Sequence, residues 1–229
     1  MVQIPNTLTS DEKLSVARII DHDSTSPLIN LSELVLRELH PEIFNLKSDF
    51  KSMQHYINHT LYMFDCLDSL ITQENLIDNS NIVRLLDISE TLSGLIKELS
   101  IEYEEDCKRF PGRLSLLYPF LYTLSKNSKH YNAKKIQLKI KKERPPKNLI
   151  YAPNSSRDFT EFVAFHLNDN GRGFVPDFDY QKALTTCPEL GKKGFGLYFT
   201  GLIAKVLGAR IDIHSKRGDT TVSFYHPVY

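Results

Sequence analysis

Hydrophobic residues in the first half of the chain recur at helical spacing in two long segments. Between Pro41 and about Gln73 they lie mostly three or four positions apart, with no glycine and no internal proline. This spacing predicts a helix of about thirty residues. A second periodic segment runs from Ile82 to Tyr103, after a polar stretch at 75–81. The pattern therefore predicts an antiparallel helical hairpin, whose uncovered apolar seam favours a dimeric four-helix bundle.

The hydrophobic pattern changes after residue 112. The predicted elements are a helix at 113–131, strands at 135–141 and 162–167, a helix at 197–207 closed by Gly208, and a hairpin of strands at 210–214 and 221–225. Helices and strands in this order predict an α+β domain, with helices on one face of a mixed sheet. The expected organisation is an N-terminal extension at 1–28, the helical hairpin at 29–110 and the α+β domain at 111–229.

Composition narrows the class of protein. Of the 229 residues, 41% are hydrophobic and 24% are charged, which is ordinary for a soluble globular chain and excludes wholesale disorder. No apolar run approaches the ~18 to 20 residues of a membrane span, and the N-terminus lacks the pattern of a secretory signal. The three cysteines are far apart and odd in number. We therefore expect a cytoplasmic protein without a disulfide framework or a membrane span.

Charge is divided unevenly between the halves. Residues 1–110 carry 19 acidic and 9 basic side chains, and residues 111–229 carry 9 acidic and 19 basic ones. This asymmetry indicates two modules with different partners. The basic half could bind nucleic acid or a phosphorylated small molecule, or the two halves could simply attract each other.

Three segments of the second half carry residues suited to nucleotide binding. The first, Asp169-Asn-Gly171-Arg-Gly173, follows a predicted strand. Its carboxylate could accept a hydrogen bond from an exocyclic amine such as that of adenine, although a plain turn explains the same residues about as often. Asn127 lies on a predicted helix. Its side-chain oxygen could coordinate Mg²⁺, or it could be an ordinary surface residue.

The third segment runs from Gly191 to Leu197 and reads G-K-K-G-F-G-L. It opens a predicted helix, so free N–H groups and the charges of Lys192 and Lys193 could bind phosphate. The alternative is a flexible loop with a helix cap. It is not a Walker loop, because no G-K-[ST] occurs at the required spacing.

Together and in this order, the three segments resemble the ATP-binding domain of the histidine kinase, gyrase and heat-shock chaperone superfamily (GHKL). The resemblance spans about residues 113–227. It implies that Asn127 is the N-box asparagine that holds Mg²⁺, that Asp169 is the adenine-binding aspartate and that the glycines form two glycine boxes. The implied ATP-binding residues are Asn127, Lys129, His130, Tyr131, Asp169, Gly171, Gly173, Lys192, Lys193, Gly194, Gly196 and Leu197.

Three positions matter for how this site would work. Thr123 stands where gyrase and heat-shock chaperone relatives carry a water-activating glutamate, which argues against a hydrolase of their kind. His130 occupies the family's usual N-box lysine position, beside Lys129. Phe178 resembles the F-box aromatic, and the segment between the glycine boxes is short.

In the helical half, the residues from His55 to Leu61 resemble the histidine kinase H-box, commonly written S-H-E-[LI]-R-T-P-L, through His55, Ile57 and Leu61. His55 lies off the apolar seam, so the resemblance makes it the predicted phosphoacceptor. Tyr56 replaces the acidic residue that helps to deprotonate the acceptor in many family members. Alternatives are His40 as acceptor, or His55 and His59 as a metal-binding pair or as two surface histidines.

The resemblance implies a homodimeric histidine kinase core that uses ATP and Mg²⁺. It would autophosphorylate on His55 and pass the phosphoryl group to an aspartate in the receiver domain of a response regulator. A separate sensor protein would supply the signal, and no nucleic acid partner is expected. Two alternatives remain: a phosphotransfer or regulatory interaction protein with weak or lost kinase activity, and a GHKL kinase that phosphorylates a serine of its partner.

Overall fold

The computed structural model describes residues 9, 11–12, 57–66, 82–112, 114–153, 159–188 and 194–228. Most of the predicted hairpin falls outside these ranges, as do His40 and His55. Residues 57–66 are helical, as the periodicity of the first segment predicts.

Seven strands and four α-helices follow within the described residues. They are β1 (Ile82–Arg84), α1 (Leu85–Leu95), β2 (Leu99–Tyr103), β3 (Arg109–Pro111), α2 (Leu114–His130), β4 (Ile136–Lys142), β5 (Phe162–Asp169), α3 (Tyr180–Thr185), α4 (Phe195–Leu207), β6 (Arg210–Lys216) and β7 (Asp219–Pro227). Five strands form one sheet in the order β2-β4-β5-β7-β6. The β2–β4 pair is parallel and the other pairs are antiparallel, while β1 and β3 form a separate antiparallel pair.

The sheet has one face under the helices and one outer face. Along β5, Val163, Phe165 and Leu167 belong to the main core together with residues of α2 and α4. The alternate residues Phe162 and Ala164 belong to a second, smaller cluster. This division follows from the two-residue repeat of a strand, and it confirms the α+β class predicted for the second half.

The predicted helix from Ile82 to Tyr103 is wrong. The structure divides this segment into β1, α1 and β2, and Leu99 pairs in register with Ile136 of β4. Leu99, Ile101 and Tyr103 alternate with polar residues, and the period changes from helix to strand just after Gly94, the penultimate residue of α1. The sheet therefore takes in residues that precede position 111, where the sequence analysis places the start of the α+β domain.

The helical segment 57–66 packs against this domain. Met63 and Cys66 are fully buried in the main hydrophobic core, which also contains residues of α1 and α2. Within the described ranges, none of the helices has the length and hydrophobicity that crossing a membrane requires.

Candidate functional site

A cavity of about 630 Å³ lies between α2, the ends of β5 and β7, and the segment that carries α3 and the start of α4. Its lining includes seven of the predicted ATP-binding residues: Asn127, Tyr131, Asp169, Gly173, Gly194, Gly196 and Leu197. Residues far apart in sequence therefore meet at one concave site of the size that small ligands occupy.

Asp169 is the most tightly held polar residue of the cavity. It ends β5 and is only 7% exposed. One carboxylate oxygen, Oδ2, accepts a hydrogen bond from Ser128 Oγ at 2.7 Å, and the other, Oδ1, accepts one from the Gly171 amide at 2.8 Å. A carboxylate offers about four acceptor positions, so these two bonds orient the group and leave capacity for a ligand donor.

Asn127 lies on α2, across from the start of α4. A side-chain carbon added at Gly196 would collide with the Asn127 amide nitrogen and would come within 2.9 Å of its Oδ1. Glycine at this position therefore allows the asparagine side chain to lie directly against the first turn of α4. The first N–H groups of a helix have no partner within the helix, so an amide oxygen and a helix N-terminus meet at one part of the cavity wall.

The opposite wall is formed by the segment between the glycine boxes. Phe174, Phe178 and Tyr180 contact one another with ring centroids 4.9 to 5.2 Å apart. Both phenylalanines line the cavity, and so do Lys182 and Cys187. Phe178 thus lies where an F-box aromatic would contact a nucleotide-binding site.

Several predicted residues lie elsewhere. Lys129 forms an ion pair with Glu98, with 3.4 Å between Nζ and Oε2, and it does not line the cavity. His130 packs edge-on against the ring of Tyr131 and also lies outside the lining. Gly171 contributes its amide to Asp169. Lys192, Lys193 and His55 lie outside the described residues.

Sequence reasoning missed five polar or charged residues at the cavity: Ser128, Asp179, Lys182, Thr186 and Thr220. Asp179 accepts a hydrogen bond from the Lys182 amide at 2.9 Å and so caps α3. A signal was present for Ser128, which directly follows Asn127, but its partner Asp169 is 41 positions away.

Position 123 supplies no acid to this cavity. Thr123 lies one helical turn before Asn127, is 4% exposed and does not belong to the lining. Among the described lining residues the only carboxylates are Asp169 and Asp179, and both accept hydrogen bonds from the protein.

His59, expected on the surface, is instead fully buried. Its Nδ1 lies 2.9 Å from the Tyr118 hydroxyl, and its ring packs against Tyr122 with 4.1 Å between centroids. Burial raises the pKa of Tyr118 well above its usual value, so this phenol stays neutral. The reading of His59 as a surface histidine is therefore wrong, because the helical segment uses it as a packing residue against α2.

Comparison with known proteins bears on the fold. No protein-family model matches the chain, and no curated protein matches it in sequence. A bacterial phosphotransferase structure aligns over 97% of this chain and all of its own, with a TM-score of 0.51 and 15% identity. The histidine kinase AdeS of Acinetobacter baumannii aligns over 90% of this chain and 98% of its own, with a TM-score of 0.46 and 16% identity.

The catalytic domain of histidine kinase ThkA covers 65% of this chain and 97% of its own length, with a TM-score of 0.48 and 15% identity. At such identities a likeness concerns the fold alone, and the match to the phosphotransferase is the one that carries it. The chain therefore shares the fold of that phosphotransferase structure.

Proposed function

We propose that the chain is a histidine kinase core that binds ATP with Mg²⁺ in the cavity between α2 and α4. The observation that carries this proposal is the presence of Asp169 and Asn127 at one cavity, each held by the surrounding fold. Asp169 would accept the adenine amine with the acceptor capacity that Ser128 and Gly171 leave open.

The phosphates would lie at the start of α4. Unpaired N–H groups and the helix dipole favour anions there, and Gly196 lets the Asn127 side chain lie directly against this first turn. The Asn127 side-chain oxygen is a suitable ligand for Mg²⁺. When bound, the metal ion would neutralise charge on the phosphates as the terminal group is transferred.

The absence of an acid at position 123 favours transfer to a protein group over hydrolysis. In the proposed reaction the bond between the γ-phosphorus and the bridging oxygen breaks, and ADP leaves. A bond forms between phosphorus and an imidazole nitrogen, whose proton is released to solvent. Positioning and charge neutralisation supply most of the catalysis in such transfers, so a site without its own general base remains suitable.

The acceptor would be a histidine that precedes β1. Because 82–103 belongs to the strand and helix pattern of the sheet domain, a two-helix hairpin needs both of its helices before residue 82. His55 is one candidate. The residues His22–Leu28, H-D-S-T-S-P-L, form a second candidate, with histidine, an acid, a hydroxyl residue, proline and leucine at H-box spacing.

Two described features favour His22. Thr9 and Glu12 form a capping box, in which the Thr9 amide donates to Glu12 Oε2 at 2.7 Å and the Glu12 amide donates to Thr9 Oγ1 at 3.3 Å. Such a box marks the start of a helix. The H-box match at His55 also includes position 59, where the structure has a buried histidine in place of the usual threonine.

The proposal extends to the setting of the enzyme. We infer a cytoplasmic homodimer that receives its signal from a separate protein and passes its phosphoryl group to the aspartate of a response regulator. If ATP binding is weak or lost, the same two modules would serve phosphotransfer alone.

The test is incubation of the full chain with γ-labelled ATP and Mg²⁺, followed by exposure of the labelled protein to acid and to alkali. We expect label that is lost in acid and retained in alkali, as phosphohistidine requires. Acid-stable label would indicate serine phosphorylation. No label, together with phosphoryl exchange from a phosphorylated receiver domain, would identify a phosphotransfer protein.

Single variants His22→Gln and His55→Gln then identify the acceptor. We expect His22→Gln to abolish labelling and His55→Gln to retain it. The opposite result would return the acceptor to His55, and labelling that survives in the double variant would exclude both.

A further inference from the structure

Lys182 has an uncommitted positive charge at the cavity. It lies on α3 and is the single lysine or arginine among the described residues of the lining. Its side chain is exposed, and its ammonium group forms no ion pair with any residue that the structure describes. The described lysines that do form ion pairs do not line the cavity: Lys108, Lys129, Lys139, Lys141, Lys142, Lys205 and Lys216.

Of the basic residues expected to meet phosphate, Lys192 and Lys193 lie outside the described residues, and the others are engaged elsewhere. Lys129 pairs with Glu98 outside the lining, and His130 packs on Tyr131. Arg172 lies over the same tyrosine ring, 5.8 Å from its centroid. A triphosphate nevertheless carries several negative charges, which a neutral asparagine and a helix N-terminus balance only in part.

The backbone that carries Lys182 is fixed relative to α4. Its amide is held by the cap at Asp179, and the buried side chain of Leu184 packs into the core two residues later. The Leu184 carbonyl lies so close to Gly201 of α4 that no side chain fits between them. This contact fixes α3 against the middle of α4, and both Lys182 and the first turn of α4 line the cavity.

We propose that Lys182 binds the polyphosphate of the nucleotide and replaces the N-box basic residue, at whose position this chain has His130. This inference rests on the proposed ATP site and assigns its phosphate-binding cation to α3. The contribution of Lys182 to affinity would increase with the phosphate charge of the nucleotide, and Asp169 would recognise the adenine of adenosine without it.

The experiment measures the affinity of the full chain for adenosine, AMP, ADP and Mg·ATP by calorimetry. Lys182→Gln should weaken ATP binding about tenfold, as expected for the loss of one charge-assisted contact, and should leave adenosine binding unchanged. Lys182→Arg should retain most of the ATP affinity. ATP binding by the wild type should also depend more steeply on salt than binding by Lys182→Gln.

Lys139→Gln is the matched control. Lys139 is also exposed, but it lies on β4 beside Glu102 and away from the cavity, so its variant should bind ATP as the wild type does. Lys129→Gln tests the competing assignment. A loss of ATP affinity in Lys129→Gln but not in Lys182→Gln would overturn this inference.

Equal weakening of adenosine and ATP in Lys182→Gln would also overturn it, because that result indicates a structural role. These outcomes leave the proposed function standing, since the wild type still binds nucleotide. A wild-type chain that binds neither ATP nor adenosine would overturn the proposed function and this inference with it.

Discussion

Replacing Ser128 with alanine should weaken nucleotide binding through Asp169. Ser128 Oγ and Asp169 Oδ2 are 2.7 Å apart, and the two residues are only 5% and 7% exposed. A hydrogen bond to a charged group contributes about 1.5 to 3 kcal/mol, so the variant should lose stability of that order. The Asp169 carboxylate would then be oriented by the Gly171 amide alone. Part of the binding free energy of the nucleotide would be used to restore the orientation of the carboxylate.

If about 1.4 kcal/mol of this loss appears in binding, the dissociation constants of ATP and adenosine should both rise about tenfold. Both ligands should be affected equally, because Asp169 is assigned to the adenine end. Urea unfolding measures the stability change, and calorimetric titration measures the affinities. This pattern differs from that expected for Lys182→Gln, which should spare adenosine.

Ser125→Ala provides a control on the same helix. Ser125 is fully buried, and its hydroxyl has no hydrogen-bond partner among the described residues. Removing a buried, unpaired hydroxyl should leave stability unchanged or raise it, and ATP affinity should not change. If Ser128→Ala binds ATP and adenosine as tightly as Ser125→Ala does, the reasoning about Asp169 is refuted.

Two further predictions concern stability. Gly201→Ala should destabilise the domain by about 2 to 4 kcal/mol in urea unfolding, because the added carbon meets the backbone of Leu184, and a wild-type midpoint would contradict this. Burial lowers the pKa of His226 from 6.5 to about 4. On acidification, His226 is therefore protonated in the unfolded chain at a higher pH than in the folded one. The stability due to neutral His226 is complete above pH 6.5 and should fall by about 3 kcal/mol as the pH approaches 4. Urea midpoints across this range should show a slope that is smaller in His226→Gln, and equal slopes would refute the assignment.

Local chemistry made part of the site predictable from sequence. Asp169 is the last residue of a largely apolar strand and precedes two glycines, and α4 is preceded by Gly194 and followed by Gly208. The glycines and the apolar strand lie within a few positions of the site residues that they indicate. The structure brings Asp169, Gly194 and Asn127 to one cavity, as their resemblance to the family motifs implies.

Residues whose role depends on distant contacts were not predictable in this way. Ser128 meets Asp169 only because α2 packs beside the end of β5. Lys129 is withdrawn from the cavity by Glu98, which lies just before β2 in a segment that sequence periodicity assigned to a helix. A lysine beside a motif residue looks like a phosphate ligand in sequence, but its actual partner depends on which strand lies next to it.

The same misreading bears on the acceptor histidine. Leu85, Ile88, Leu92 and Leu95 have true helical spacing within α1, and the alternation that begins at Leu99 continues their apolar rhythm without interruption. If 82–103 is taken as one helix, it becomes the second helix of the hairpin. The helix before it is then the first, and the phosphoacceptor is sought there, at His55.

Pairing of β2 with β4 assigns 99–103 to the sheet, so the proposed hairpin would need both of its helices before residue 82. The helix start marked by the capping box at Thr9 and Glu12 then becomes relevant, because Glu12 precedes His22 by ten positions. Glu12 also pairs with Lys205 of α4, at 2.8 Å between Oε1 and Nζ, which ties the start of that helix to the sheet domain. We therefore propose that the first 28 residues, which the sequence analysis expects to be an extension, belong to the proposed phosphotransfer module.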